Sequence, residues 1–421
     1  TMFLDNYKPS VKEALDKGLL TEKEVDASIR GTLRVLLKLG LLDNDNSNPY
    51  SSIGIRDTTA PWTKPETRAL VRKVTAESVV LLKNEENLLP LQQEKIKSIA
   101  VIGPSADKVI SDWYAGTPPY TVSVLQGIRN ALGDNIKINY AASNKADSAI
   151  IAAKESDVAI VCLGNHPLGY GLAWGQNYVA SDGREDVDRQ AISLEQEDLV
   201  KLVYKANPKT ILVLVSSFPY SINWSKEHLP AILHITQSSQ ELGNGLADVL
   251  FGKTNPAGRL VQTWPVSIDQ LPPILDYNIR HGRTYMYSAE KPLFPFGYGL
   301  SYTNFVYSNL NQNKKQLHTG DSLTVQFDLA NTGNYDGDEV VQLYVSFPGS
   351  KAMRPLKTLK AFKRVSTTKQ SSTKVTLTLY ADDLRYWDMD KHAYLLEPGT
   401  VHYFIGGASD QQLLEGEVEV K

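Results

Sequence analysis

DVAIVCLG, Asp157 to Gly164, sets six apolar residues in a row between an acidic residue and a glycine. The run is short and rich in β-branched side chains, so it reads as a strand covered on both faces. Similar runs recur in SIAVIG (98–103), IKINY (136–140), TILVLV (210–215) and AILHIT (231–236). Between them lie stretches that read as amphipathic helices: PETRALVRKVTAESVVLLKN (65–84), TVSVLQGIRNALG (121–133), ADSAIIAAKES (146–156), SLEQEDLVKLVYKA (193–206) and QELGNGLADVLFG (240–252). Apolar strands alternating with such helices predict an α/β domain with a largely parallel sheet. Ligands of such sheets bind beyond the C-terminal strand ends.

Two further patterns flank this domain. Residues 9–42 read as two helices, the second opened by the capping-box pair Thr21 and Glu24 and carrying Val25, Ile29, Leu33, Leu36 and Leu37 at helical spacing. That spacing calls for one buried face. A polar stretch, DNDNSNPYSSIGIRDTTAPW (43–62), follows as a linker. After PLFPFGYGLSYTNF (292–305) the sequence alternates instead, in SLTVQFDLANTG, DEVVQLYVSF, LKTLKAFKRV, STKVTLTLY, TVHYFIGG and LLEGEVEV. Period-two strands separated by Gly, Asn and Asp turns predict an all-β sandwich of about a hundred residues. The expected boundaries are 1–45, a 46–64 linker, 65–303 and 304–421.

Composition narrows the chemistry. The 421 residues carry 44 Lys+Arg against 47 Asp+Glu, a net charge of −3, which provides no field for steering nucleic acid or an anionic membrane. No apolar run reaches the ~20 residues of a membrane span. The single cysteine, Cys162, excludes an intrachain disulfide and reads as a small core residue. The chain opens at Thr1 with neither an initiator Met nor a signal-peptide pattern, as a fragment or processed product would.

The excursion from Asn165 to Ala191 is much longer than the usual two to six residues, roughly, of a βα loop. It concentrates His166, Tyr170, Trp174, Asp182, Arg184, Glu185, Asp188 and Arg189 just beyond a strand end. Aromatic planes beside carboxylates and arginines suit a sugar, whose C–H faces stack while its hydroxyls hydrogen-bond. The competing reading takes REDVDR (184–189) as a solvated charge cluster before the next helix. GNHPLGYG lacks the lysine of a phosphate loop, which disfavours a flavodoxin-like nucleotide binder; the histidines lack metal spacing, and His234 reads as a satisfied core residue. RHGRTYMY (280–287) suits either a sugar site or inter-domain packing, and VISDWYAG (109–116) offers Asp112 as a carboxylate beside an indole.

The order of ESVVLLKNEENLLPL, IAVIGPSAD, WYAGTPPYTVSVLQGIRNAL, GREDVDR, NPAGRLVQTWP, LFPFGYGLSYT and NTGNYDGDEVVQLYV resembles glycoside hydrolase family 3, the family of β-glucosidases and β-xylosidases, over essentially the whole chain. The resemblance implies a multidomain α/β plus all-β fold: the last helices of a (β/α)8 barrel, an α/β sandwich, then a fibronectin type III-like β-sandwich. It makes residues 1–45 the barrel exit, with most of the barrel absent. It also implies retaining hydrolysis of terminal β-D-glycosyl residues by two carboxylates. EDVDR matches the family's acid/base motif at Glu185, Asp188 and Arg189, with Asp186 in place of a glycine. Glu185 is the acid/base candidate and Asp182 the alternative; Trp174, Tyr170, His166 and Arg184 are substrate-binding candidates. Asp112 lies after the barrel exit, out of order for the nucleophile, and reads as a loop residue. The expected partners are a β-linked glycoside, an N-terminal barrel domain or chain and, as an option, further copies of the chain. No metal or organic cofactor, nucleic acid or membrane is implied. A periplasmic or secreted location is slightly favoured over the cytoplasm. The alternative function is a non-catalytic carbohydrate-binding or scaffolding module.

Overall fold

The short apolar runs do become strands, and all but one were legible as such. The computed structural model describes residues 7–43, 48, 50, 53–55, 58, 60–111, 114–142, 146–165, 189–237 and 239–421. These fall into two units, Thr1–Lys64 and Pro65–Lys421.

The first unit holds helices α1 (Tyr7–Asp16) and α2 (Glu22–Lys38). The capping box forms: Thr21 Oγ1 accepts from the Glu24 N–H at 3.3 Å, and the Thr21 N–H donates to Glu24 Oε2 at 2.8 Å. Neither helix buries a residue, and the predicted apolar stripe is open, with Ile29, Leu33 and Leu37 at 46%, 43% and 58% exposure.

The second unit begins with α3 (Pro65–Ser78), strand β1 (Val80–Asn84) and β2 (Ser98–Ile102), then α4 (Val124–Leu132) and β3 (Lys137–Ala141). It continues through α5 (Ala146–Lys154), β4 (Val158–Gly164), α6 (Glu197–Ala206), β5 (Thr210–Val215), α7 (Asn223–His228), β6 (Ala231–Ile235), α8 (Leu242–Leu250) and the single turn α9 (Thr284–Tyr287). The strands form one sheet in the order β1-β6-β5-β4-β2-β3, parallel except for β1, which runs antiparallel to β6.

One expectation is corrected here. The stretch 65–84 is not a single helix: it leaves α3 after Ser78 and becomes β1. Val80, Leu81 and Leu82 are all at most 4% exposed. The strand pairs with β6, Val80 opposite His234 and Leu81 opposite Leu233, and a strand between two layers buries both of its faces.

Alternate strand residues divide between two cores. Leu81, Val101, Ile160, Cys162 and Val213 pack with Leu125, Ile128, Leu242 and Leu246 of α4 and α8. Leu82, Ile102, Val161, Leu163 and Leu212 pack with Ala149, Leu199 and Val203 of α5 and α6. Cys162 is fully buried, and desolvation pushes its thiol pKa up, consistent with a packing role. His234 on β6 is buried edge-on to Trp264 at 5.1 Å, its Nδ1 3.2 Å from the Leu214 carbonyl, and burial lowers its pKa to about 4.

The remaining strands form a sandwich: β7 (Phe305–Gln312), β8 (Gln316–Leu317), β9 (Ser322–Asn331), β10 (Gly337–Ser346), β11 (Thr358–Thr367), β12 (Ser371–Tyr380), β13 (Tyr386–Asp388), β14 (Ala393–Leu395), β15 (Gly399–Gly406) and β16 (Leu414–Val420). Sheets β11-β10-β15-β16-β8 and β12-β9-β7 face each other across Val325, Phe327, Leu343, Val401 and Ile405, while β13 and β14 pair only with each other. The segment PFGYGLSYT (295–303) joins this sandwich to the α/β sheet. Leu300 bridges to Leu81, Tyr302 Oη donates to the Val249 carbonyl at 2.9 Å, and Ser409 N–H donates to the Phe296 carbonyl at 2.9 Å. Across the same seam Arg259 Nη2 meets Glu339 Oε2 at 3.0 Å with both side chains 8% exposed, and Tyr307 Oη donates to Glu339 Oε1 at 3.1 Å.

Two outcomes follow from this packing. Glu339→Gln strands a buried guanidinium and is expected to cost about 3–5 kcal/mol, read as a lower denaturation midpoint; Arg259→Met with Glu339→Met should cost less than the two single changes summed. For His234, the unfolded chain binds a proton near pH 6.5 that the folded chain refuses until about pH 4. Stability should thus fall with decreasing pH across that window, by up to about 3 kcal/mol, and His234→Gln should flatten the urea-midpoint profile there.

Candidate functional site

The C-terminal edge of the parallel sheet is where β4 releases the long excursion. Gly164 ends β4 at φ +150, and a Cβ there would lie 1.7 Å from the Val215 carbonyl oxygen, so only glycine fits against β5. With no room for a side chain, its backbone groups are met by Gln196, two residues into the turn before α6. The Gly164 N–H donates to Gln196 Oε1 and Gln196 Nε2 donates to the Gly164 carbonyl, both at 3.1 Å.

Asn165, 1% exposed, continues the anchorage. Its Oδ1 accepts from the Ser217 N–H at 2.9 Å, and its carbonyl accepts from Gln237 Nε2 at 3.0 Å. Ser217 Oγ in turn donates to Gln237 Oε1. Polar side chains from the ends of β4, β5 and β6 and from the α6 turn thus tie the strand ends together, mostly through backbone groups, where the sheet stops.

The far end of the excursion returns to the same place. Arg189 Nη1 donates to the Pro219 carbonyl at 3.2 Å, and its guanidinium lies over the Tyr220 and Phe218 rings, 4.6 and 5.1 Å from their centroids. The Ile192 carbonyl accepts from the Ser221 N–H at 2.8 Å. Residues 165 and 189 are therefore both fixed against the 216–222 segment after β5.

The acid/base candidates Glu185 and Asp182 and the substrate-binding candidates Trp174, Tyr170, His166 and Arg184 lie outside the described residues, as do Asp188 and Asp112. Of the predicted cluster, Arg189 is described, and it acts as an anchor. Gln196, Ser217 and Gln237 were missed from sequence. Their signal is weak, since uncharged polar residues at strand ends are common and only pairing across 20 to 52 positions gives them a role. Gln196, Ser217 and Gln237 carry no group that titrates near neutral pH, which fits them to hold a segment. Among the described residues no group of three or more His, Cys, Asp or Glu is placed to hold a metal. RHGRTYMY packs between domains: Tyr285 stacks on Phe296 at 4.7 Å and meets Tyr344 edge-on at 5.7 Å.

Comparison with known proteins adds to this geometry. Residues 79–302 match the Glycosyl hydrolase family 3 C-terminal domain, and residues 339–409 match the Fibronectin type III-like domain. A β-xylosidase of Formosa agariphila is 33% identical over 95% of this chain and 56% of its own length. A periplasmic β-glucosidase of Salmonella typhimurium is 31% identical over 96% and 56%. Among solved structures, the β-glucosidase D2-BGL of Chaetomella raphigera superposes with a TM-score of 0.83 at 26% identity, over 100% of this chain and 64% of that one. The Listeria innocua β-glucosidase in complex with isofagomine gives 0.82 at 26%, over 97% and 57%. The chain thus spans a little over half the length of the curated relatives it matches.

Gln196→Met removes the two hydrogen bonds that Gln196 makes to the Gly164 backbone. It is expected to destabilise by about 1–3 kcal/mol in chemical denaturation and to speed hydrogen exchange at Gly164 and Ser217 before it affects the sandwich.

Proposed function

Because the chain belongs to glycoside hydrolase family 3, we propose that it supplies the acid/base loop of a retaining exo-β-glycosidase acting on terminal β-D-glucosyl or β-D-xylosyl residues. The observation that carries this reading is GREDVDR (183–189), within a segment whose two ends are anchored beyond the C-terminal edge of the parallel sheet. That edge is where ligands of open α/β sheets bind. The relatives named as β-xylosidase and β-glucosidase support the substrate class.

In this reading Glu185 protonates the leaving oxygen and then takes a proton from water. Asp182 is the alternative for that role, and Trp174, Tyr170, His166 and Arg184 contact the sugar or its leaving group. A carboxylate about 5–5.5 Å from the acid/base is needed to form and release the glycosyl intermediate. By family order that carboxylate belongs to a barrel and not to Asp112. The same reading takes 1–45 as terminal barrel helices, 46–64 as linker, 65–303 as the α/β sandwich and 304–421 as the fibronectin type III-like domain. A barrel domain or chain is then the required partner. A periplasmic or secreted location follows more readily than a cytoplasmic one, on the precedent of the Salmonella relative.

Combining the 421-residue chain with a barrel-containing N-terminal chain should give hydrolysis of an aryl β-glucoside or β-xyloside. Glu185→Gln should then lower kcat/KM by about 10²–10⁴-fold for a poor leaving group and by much less for a nitrophenolate, which departs without protonation, while kcat falls for both because the same group activates the water. The assignment is wrong if the chain alone turns over such substrates and Asp112→Asn abolishes the activity while Glu185→Gln does not.

A further inference from the structure

A cavity of about 430 Å³ lies against Pro219, in the segment that also holds Arg189 at the end of the long excursion. That volume falls within the ~300–1,000 Å³ usual for small-molecule pockets, and about 150 Å³ of apolar space already holds a benzene. Four prolines, Pro219, Pro265, Pro292 and Pro295, line it together with the rings of Tyr285 and Phe296. Locked rings lose little freedom when a ligand settles on them, so such walls are organised before anything binds.

The aromatic part of the lining is braced from several sides. Tyr285 stacks on Phe296, 4.7 Å between centroids at 20°, and meets Tyr344 edge-on; Tyr344 stacks in turn on Phe404 at 5.5 Å. Tyr285 Oη accepts from the Leu359 N–H at 3.3 Å. Both rings nevertheless keep accessible surface, since neither Tyr285 nor Phe296 is fully buried. The neighbouring Thr284 has φ +61, a conformation that a β-branched side chain adopts only under constraint. Here the constraint comes from Arg283, whose Nε and Nη2 donate to the Asp276 and Pro273 carbonyls, both at 2.9 Å, and from the Leu356 N–H, which donates to the Met286 carbonyl at 2.7 Å. Strain of this kind, sustained beside a cavity by its surroundings, is a mark of ligand clamps.

The charged residues of the lining cancel. Arg283 and Lys357 stand against Glu290 and Asp410. Arg283 is spent on backbone carbonyls, and Lys357 Nζ donates to the Ser409 carbonyl. The lining thus offers no net charge to attract an ion. Its rings and prolines favour a neutral planar group, which gains stacking contacts beyond the apolar area it buries. A ligand resting on Pro219 also bears on the anchorage of the excursion. The Pro219 carbonyl accepts from Arg189 Nη1, and the N–H groups of Ser217 and Ser221 on either side hold Asn165 and Ile192.

We propose that this cavity binds a neutral aromatic ring, stacked among the prolines, Tyr285 and Phe296, and that the bound ring steadies the 216–222 segment through Pro219. The ring is supplied by the aryl group of a glycoside or by a free phenol. The proposal concerns binding alone, so its test reads no hydrolysis and its failure would leave the acid/base assignment as it stands.

The test is titration of the 421-residue chain, followed by ligand-observed NMR, with phenyl β-D-glucoside and phenol and with their saturated counterparts, cyclohexyl β-D-glucoside and cyclohexanol. One or both aromatic probes should bind about three- to tenfold tighter than the saturated counterpart, the margin that stacking adds. Whichever aromatic probe binds tighter identifies the source of the ring. At saturation, hydrogen exchange at the Ser217 and Ser221 N–H groups should slow by about twofold or more. Tyr285→Ala should weaken binding by about tenfold or more, and Leu271→Asp, at a lining position 40% exposed, should weaken it by setting a charge beside a neutral ring. Thermal melts establish that the variants fold; should Tyr285→Ala fail to fold, Leu271→Asp decides. Equal affinity for the saturated counterparts, no binding at millimolar concentration, unchanged affinity in the folded variants, or unchanged exchange at Ser217 and Ser221 would each overturn the proposal.

Discussion

Burial of β4 on both faces is the constraint on which the rest of the chain depends. All of Val158 to Gly164 is buried, so every backbone group of that strand must find its partner sideways, from β2 and β5. That requirement ends abruptly at Gly164, where the carbonyl of Val215 leaves no space for a side chain. Gln196 completes the pairing from the turn before α6, next to Asn165, the last described residue before the excursion.

A second constraint ties the α/β sheet to the sandwich. Arg259 and Glu339 are both nearly excluded from water, and their desolvation is tolerated because each has further polar neighbours, including Tyr307 on the glutamate. Asn255 reinforces the seam by accepting from Ser301 Oγ at 2.9 Å and the Tyr302 N–H at 2.8 Å while donating to the Asp336 carbonyl at 3.0 Å. Such groups fix one relative placement, since any slip would strand several buried donors together.

At the sheet edge, neutral amides and hydroxyls tie the ends of β4, β5 and β6 to the turn before α6. On the sandwich, the Arg354 guanidinium lies against the Phe347 and Tyr386 rings and pairs with Glu397 at 3.6 Å.

Much of this was legible in the sequence, because the signals are local. Period-two and continuous apolar runs located β2 through β6 and most of the sandwich, the Thr21–Glu24 spacing located the start of α2, and the apolar neighbours of Cys162 and His234 marked both as core residues. The ordered motifs carried the family, and GREDVDR carried the candidate acid/base. Tertiary structure alone decided the rest. It divided 65–84 into α3 and β1, since VVLL fits a helix or a strand equally until β6 offers an edge to pair with. It also added α7, β7 and the β13–β14 hairpin, whose sequences lack a strong period. The pairings Gly164 with Gln196, Arg259 with Glu339 and Arg354 with Phe347 and Tyr386 likewise leave no mark in the sequence. Periodicity reports how a segment meets its own neighbours, whereas the choice of a partner 32 or 80 residues away depends on which polar groups the finished core leaves unsatisfied.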